Sequence, residues 1–227
     1  MFDNPARLIL AMAFIPLILL FPARADEIEL LGRSEVPVDA KYRATADTRT
    51  YEFRPTLVLI NDSGWTKKLL INASTHSAEI LGQCGVGVPV INLITLKTSE
   101  KYKDPDRSQR IDLARGISPA AKPLVFFIRS SGDVMKDAFS YGKSNTRSAE
   151  LKDTVWVKNA LTDIAGVALA HELVHILSNS GEHISEPGNL MNEDADTTTV
   201  KLKPDQCSNI VRRGIENGFL NPKDSKD

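Results

Sequence analysis

The sequence predicts an α+β fold built on a mixed sheet, and three observations predict it. Short runs rich in Val, Ile, Leu and Phe recur at 55–60, 86–96, 122–129 and 153–157, bounded by turn-prone or polar stretches. Between the first two runs, the apolar residues of 65–83 follow helical rather than alternating spacing. Further on, IAGVALAHELVHIL at 164–177 is apolar nearly all round, the pattern of a helix buried in a core.

Taken in order, residues 1–25 read as an export signal. Arg7 marks a short n-region, an apolar run follows over 8–21, and Ala23-Arg24-Ala25 supplies the small-x-small cleavage pattern. At about 14 residues the run is too short to span a bilayer comfortably. The mature chain is therefore expected to begin at Asp26, to be secreted or periplasmic, and to carry no stable membrane anchor. Residues 26–52 are polar and weakly patterned and read as an N-terminal arm or short pro-segment, 53–220 as one domain, and 221–227 as a tail.

Within the domain, 55–60 (PTLVLI) is a strand stopped by Asn61-Asp62-Ser63-Gly64. Trp65, Leu69, Ile71, Ala73, Ala78, Ile80 and Leu81 mark a helix over 65–83 that ends at Gly82 and Gly85 and carries His76 as a solvated or core residue. A strand at 86–96 follows, then a polar excursion over 97–121 read as a solvated loop, and a buried strand at 122–129. A short edge strand at 137–141 and another strand at 153–157 precede the apolar helix from about Leu161, and a last helix runs from Pro204 to about Asn217 with Gly218 beyond it. The net charge of −1 gives no electrostatic footing for nucleic acid or an anionic membrane surface, so neither is expected as a partner, and a monomer is expected.

Chemistry concentrates in one window. The chain has four histidines, and His171, His175 and His183 fall within 171–191, HELVHILSNSGEHISEPGNLM. Histidines four apart on a helix project from one face, so both imidazoles can reach one ion, with Glu172 near its rim. This is the H-E-x-x-H pattern, in which two His bind Zn²⁺ and the Glu is the general base. His183 is the candidate third ligand; a downstream carboxylate such as Glu193 is the alternative. Two cysteines in an exported chain form a natural pair, so a Cys84–Cys207 disulfide is expected.

The window resembles the metzincin clan of zinc peptidases, and within it the matrixin-type proteins, which show H-E-x-x-H-x-x-G-x-x-H followed by a methionine-containing turn. The resemblance implies His171, His175 and His183 as ligands, Glu172 as base, and Met191 in Pro187-Gly188-Asn189-Leu190-Met191 as the turn methionine. Here Ser178 stands where that pattern has glycine, and the third histidine arrives two residues later than in the pattern. The order of elements is also similar to that catalytic domain, and it implies a zincin-like domain with a mostly parallel sheet, an active-site helix and a C-terminal helix. The function so implied is zinc-dependent hydrolysis of peptide bonds in a peptide or protein substrate. The alternative is a peptidase-like zinc-binding or sensor protein that does not hydrolyse peptides.

Overall fold

The computed structural model describes residues 27–38, 50–129, 142–144, 149–159, 162–193, 198 and 200–223. The export signal and the edge strand expected at 137–141 lie outside these residues. The main sheet has six strands, β1 (Ile28–Pro37), β3 (Thr56–Ile60), β5 (Val90–Thr98), β6 (Leu124–Ile128), β7 (Gly142–Ser144) and β8 (Thr154–Lys158), in the order β1-β5-β3-β6-β8-β7. The four central strands run parallel, while β1 pairs antiparallel with β5 and β7 antiparallel with β8. The fold is therefore α+β with a mixed sheet, as the order of elements implies. A small second sheet joins β4 (Val86–Gly87), β2 (Tyr51–Phe53) and β9 (Leu220–Pro222).

The sheet is buried on both faces because its central strands are apolar at odd and even positions alike. Leu57, Leu59, Val125, Phe127, Val155 and Val157 face a large core shared with α1 (Lys67–Leu81), α3 (Thr162–Ser178) and α4 (Pro204–Glu216). Val58, Ile60, Phe126, Ile128 and Trp156 face the other way, over α2 (Arg107–Gly116), with Phe126 and Trp156 stacked at 4.1 Å between ring centroids. Trp65 is pinned between strand and helix by a hydrogen bond from its Nε1 to the Ile128 carbonyl at 3.0 Å.

Several stretches differ from the sequence expectation: 86–96 divides into β4 in the small sheet and β5 in the main one, β9 enters the expected tail, and two further stretches carry elements that the pattern hides. The polar excursion at 97–121 contains α2, whose N-terminus is a reciprocal capping box: Asp106 accepts from the Gln109 amide at 2.9 Å and the Gln109 side chain accepts from the Asp106 amide at 2.8 Å. Its apolar stripe is narrow, with Leu113 and, just past the helix, Ile117 reaching the core, so polarity masks the helical period. Residues read as an arm include β1, an edge strand exposed from Glu29 to Glu35. Its alternation is broken by a bulge between Leu30 and Gly32, which hides the period of two.

Cys84 and Cys207 form the expected disulfide, joining the turn after α1 to the first turn of α4 across 123 positions. In the chain-entropy picture a loop of this length contributes about 4–5 kcal/mol. The helices α1 and α3 pack closely because Gly166 has no side chain: a Cβ there would meet His76 Nδ1 at 2.7 Å and His76 Cβ at 2.8 Å. His76 is thus a packing residue, as expected of a histidine outside the 171–191 window. Gly166→Ala should destabilise the protein by about 1–2 kcal/mol, overpacking outweighing the gain in helix propensity. Adding His76→Ala should recover in urea unfolding only the part of that loss due to the ring, because the His76 Cβ at 2.8 Å remains; equal stability of Gly166→Ala and the parent protein would contradict the close approach.

Candidate metal centre

The buried helix α3 carries His171 and His175 on one face, and their Nε2 atoms lie 3.1 Å apart. The helix stops right after them for a local reason. Asn179 adopts a left-handed conformation with φ of 49°, which Asn tolerates better than most residues. The Asn179 amide donates to the Ile176 carbonyl and the Ser180 amide to the His175 carbonyl, both at 3.2 Å, the bond pair of a Schellman cap. The chain then turns back and places His183 Nε2 at 3.1 Å from His171 Nε2 and 3.2 Å from His175 Nε2.

All three sequence-predicted histidines therefore converge, and they form a group that could hold a metal ion. Nitrogens bound at about 2.0–2.1 Å in a tetrahedral set lie about 3.3 Å apart. The observed separations of 3.1–3.2 Å fit that set with one position left open.

The outer nitrogens fix the tautomers. His171 Nδ1 faces the Leu190 carbonyl at 2.7 Å, His175 Nδ1 faces the Ser180 carbonyl at 2.7 Å, and His183 Nδ1 faces a Glu193 carboxylate oxygen at 3.3 Å. A carbonyl can only accept, so Nδ1 of His171 and His175 must carry the proton, and their Nε2 atoms are left with lone pairs. Two lone pairs facing each other at hydrogen-bonding distance, with no proton between them, repel; a cation removes the conflict. Burial also disfavours protonation, pushing His171 and His175 down to about 4.

Glu193 lies on the Nδ1 side of His183, opposite the converging nitrogens, so it orients the ring rather than joining the cluster. Glu172, next to His171 on α3, is buried. Met191 is buried in the core beneath the helix, and its carbonyl accepts the Ile184 amide at 2.8 Å, tying the 187–191 turn to the loop that bears His183. Sequence reasoning did not find the acceptors. Leu190 and Ser180 act through main-chain carbonyls, which carry no residue-type signal; Asn179 before Ser180 was the available hint, since it sets where the helix ends.

No protein-family model matches the sequence, and no characterised protein matches it in sequence. In structure the chain is similar to metalloproteinase-II from Bacteroides fragilis, with a TM-score of 0.52 and 14% identity over 79% of this chain and 57% of that one. The fold is shared with a metalloproteinase. It is also similar to a chain in the structure of a chaperone–substrate complex, with a TM-score of 0.51 and 12% identity over 76% of this chain and 36% of that one. The chain thus spans just over half of the metalloproteinase and about a third of the second protein.

The depressed histidines give a signed pH dependence for the metal-free protein. An unfolded imidazole titrates near 6.5, so between that value and about 4 the unfolded chain binds more protons than the folded one. The contribution is fully present above about pH 6.5 and is lost as pH falls toward 4. Urea midpoints of the stripped protein should therefore fall more steeply over this range than those of a His171→Gln/His175→Gln variant. Parallel slopes would show that the imidazoles are not held neutral.

Proposed function

We propose that this chain is an exported zinc-dependent endopeptidase. The observation that carries the reading is the convergence of three imidazole Nε2 atoms at 3.1–3.2 Å, with every Nδ1 facing an acceptor, at the end of a buried H-E-x-x-H helix. The likeness in fold to a metalloproteinase supports it. So do the disulfide, which suits an oxidising compartment, and the fact that among the described residues no helix is long and apolar enough to cross a membrane.

Zinc is the cation best suited to a three-histidine set with an open position, and bound there it would supply Lewis acidity toward a water and a scissile carbonyl. His171, His175 and His183 are its ligands in this proposal. In His171 and His175 burial disfavours the charged ring and the Nδ1–carbonyl bond leaves Nε2 with its lone pair, so no proton need leave these two before the ion binds. Glu172 is the general base: its carboxylate takes the proton of the attacking water and passes it to the leaving amine. Met191 floors the site as the turn methionine. Among the described residues β7 is the edge strand beside β8, the last strand before α3, and an extended peptide would lie along it by adding a strand.

Two substitutions test the division of roles. Glu172→Gln should keep its zinc while hydrolysis of a peptide library falls by about 10²–10⁴-fold, the usual worth of a general base. His183→Ala should lose most of its zinc, because two histidines make a poor site. Zinc uptake by the parent protein with no cleavage of any peptide would move the chain to the non-hydrolytic zinc-binding alternative. Unchanged cleavage in Glu172→Gln would end the mechanism.

A further inference from the structure

The carbonyl that receives His171 Nδ1 belongs to Leu190, and that residue is gripped from both sides. The Asn189 side chain accepts the Met191 amide at 2.9 Å, closing an Asx-turn with Leu190 at its centre. On the other side, the Leu190 amide donates to the Lys201 carbonyl at 2.8 Å and the Lys201 amide to the Gly188 carbonyl at 3.0 Å. Asn189 is itself held. Its Nδ2 donates to Gln206 Oε1 at 3.0 Å and its Oδ1 accepts from Gln206 Nε2 at 3.2 Å, a reciprocal amide pair in which Asn189 is only 2% exposed.

Gln206 sits in the first turn of α4, where its Oε1 also accepts the Lys203 amide at 2.7 Å and so caps the helix. The next residue is Cys207, bonded to Cys84. From the other end, Gln83, the neighbour of Cys84, donates to the Val200 carbonyl and accepts the Leu202 amide at 3.3 Å, bracketing Lys201. A path of main-chain links and hydrogen bonds therefore runs from the disulfide to the outer nitrogen of His171.

We infer that Asn189 and Gln206 are a positioning pair for the metal centre: their amide-to-amide bonding aims the Leu190 carbonyl at His171 and so fixes that ring's tautomer and tilt. This rests on the zinc-binding reading above, and it assigns a role to α4, which carries none of the ligands. A carbonyl in a flexible turn would lose His171 to water; here the flanking side chain makes three hydrogen bonds, one closing the turn and two anchoring it to Gln206. Partners behind metal-bound histidines typically alter metal affinity by about 10–100-fold when removed.

The chain contains its own control. Gln109 caps α2 through the same bond, accepting the Asp106 amide at 2.8 Å, but belongs to the opposite face of the sheet. Gln206→Leu and Gln109→Leu each remove a capping glutamine, and only the first removes the pair. The expected result is a zinc dissociation constant raised about 10–100-fold in Gln206→Leu and unchanged in Gln109→Leu. Gln206→Glu, which still accepts from Asn189 and Lys203 but cannot donate to Asn189 Oδ1, should fall between and keeps the test available if the leucine variant folds poorly. A second readout needs no metal: in the stripped protein the His171 Nδ1 proton should be protected from solvent exchange in NMR spectra, and Gln206→Leu should release it. Parent-like zinc affinity and an equally protected proton in both Gln206 variants would overturn the positioning pair while leaving the zinc site standing. A parent protein that takes up no zinc, yet loses proton protection in Gln206→Leu, would overturn the zinc reading while leaving the hydrogen-bonded pair standing.

Discussion

Lone pairs that point at one another set the terms for this structure. His171 and His175 have each given their single imidazole proton to a main-chain carbonyl, so their inner nitrogens meet at 3.1 Å with nothing to share. Such an arrangement has to be imposed by its surroundings. The apolar helix supplies the low-dielectric setting that keeps the rings neutral, the helix cap places the Ser180 carbonyl, and the 187–191 turn places the Leu190 carbonyl. Most of what surrounds α3 can be understood as holding those two carbonyls still.

The architecture serves this by making α3 hard to move. One side of the helix is set against α1 at the contact between Gly166 and His76, and its core-facing residues pack over the sheet. The segment leaving the site is brought back by α4, which the disulfide ties to the end of α1. Both neighbours of the central helix are thus covalently joined near the centre they flank. Two of the three histidines stand on a rigid, capped helix, and the loop that bears His183 is tied to the 187–191 turn, which is what precise site geometry requires.

Much of this was legible in the residues because it depends on periodicity and on side-chain chemistry. The central strands are continuous apolar runs, and a strand buried on both faces cannot look otherwise. The three histidines stand out because imidazoles are rare in this chain and clustered. What escaped has physical reasons too. α2 buries little, so its pattern is faint, although Asp106 followed three residues later by Gln109 is a start signal that could have been used. β1 is an edge strand whose bulge shifts its register midway. The second tier of the site, Leu190, Ser180 and the Asn189–Gln206 pair, depends on main-chain geometry and on a contact between segments that no local pattern encodes.

The cap at the end of α3 has a consequence for how such a site can vary. His175 and Ser180 are bonded twice, amide to carbonyl through the main chain and ring to carbonyl through the side chain. The helix terminus and its second histidine therefore form a closed unit, to which the following span adds the Glu182 amide donating to the Ser180 hydroxyl at 3.2 Å. The span from Gly181 to His183 has only to bridge back across the open side, and no Cβ at Gly181 would meet a neighbour within 4 Å. A longer span there leaves the cap itself made, so a third donor arriving late in sequence can still be on time in space.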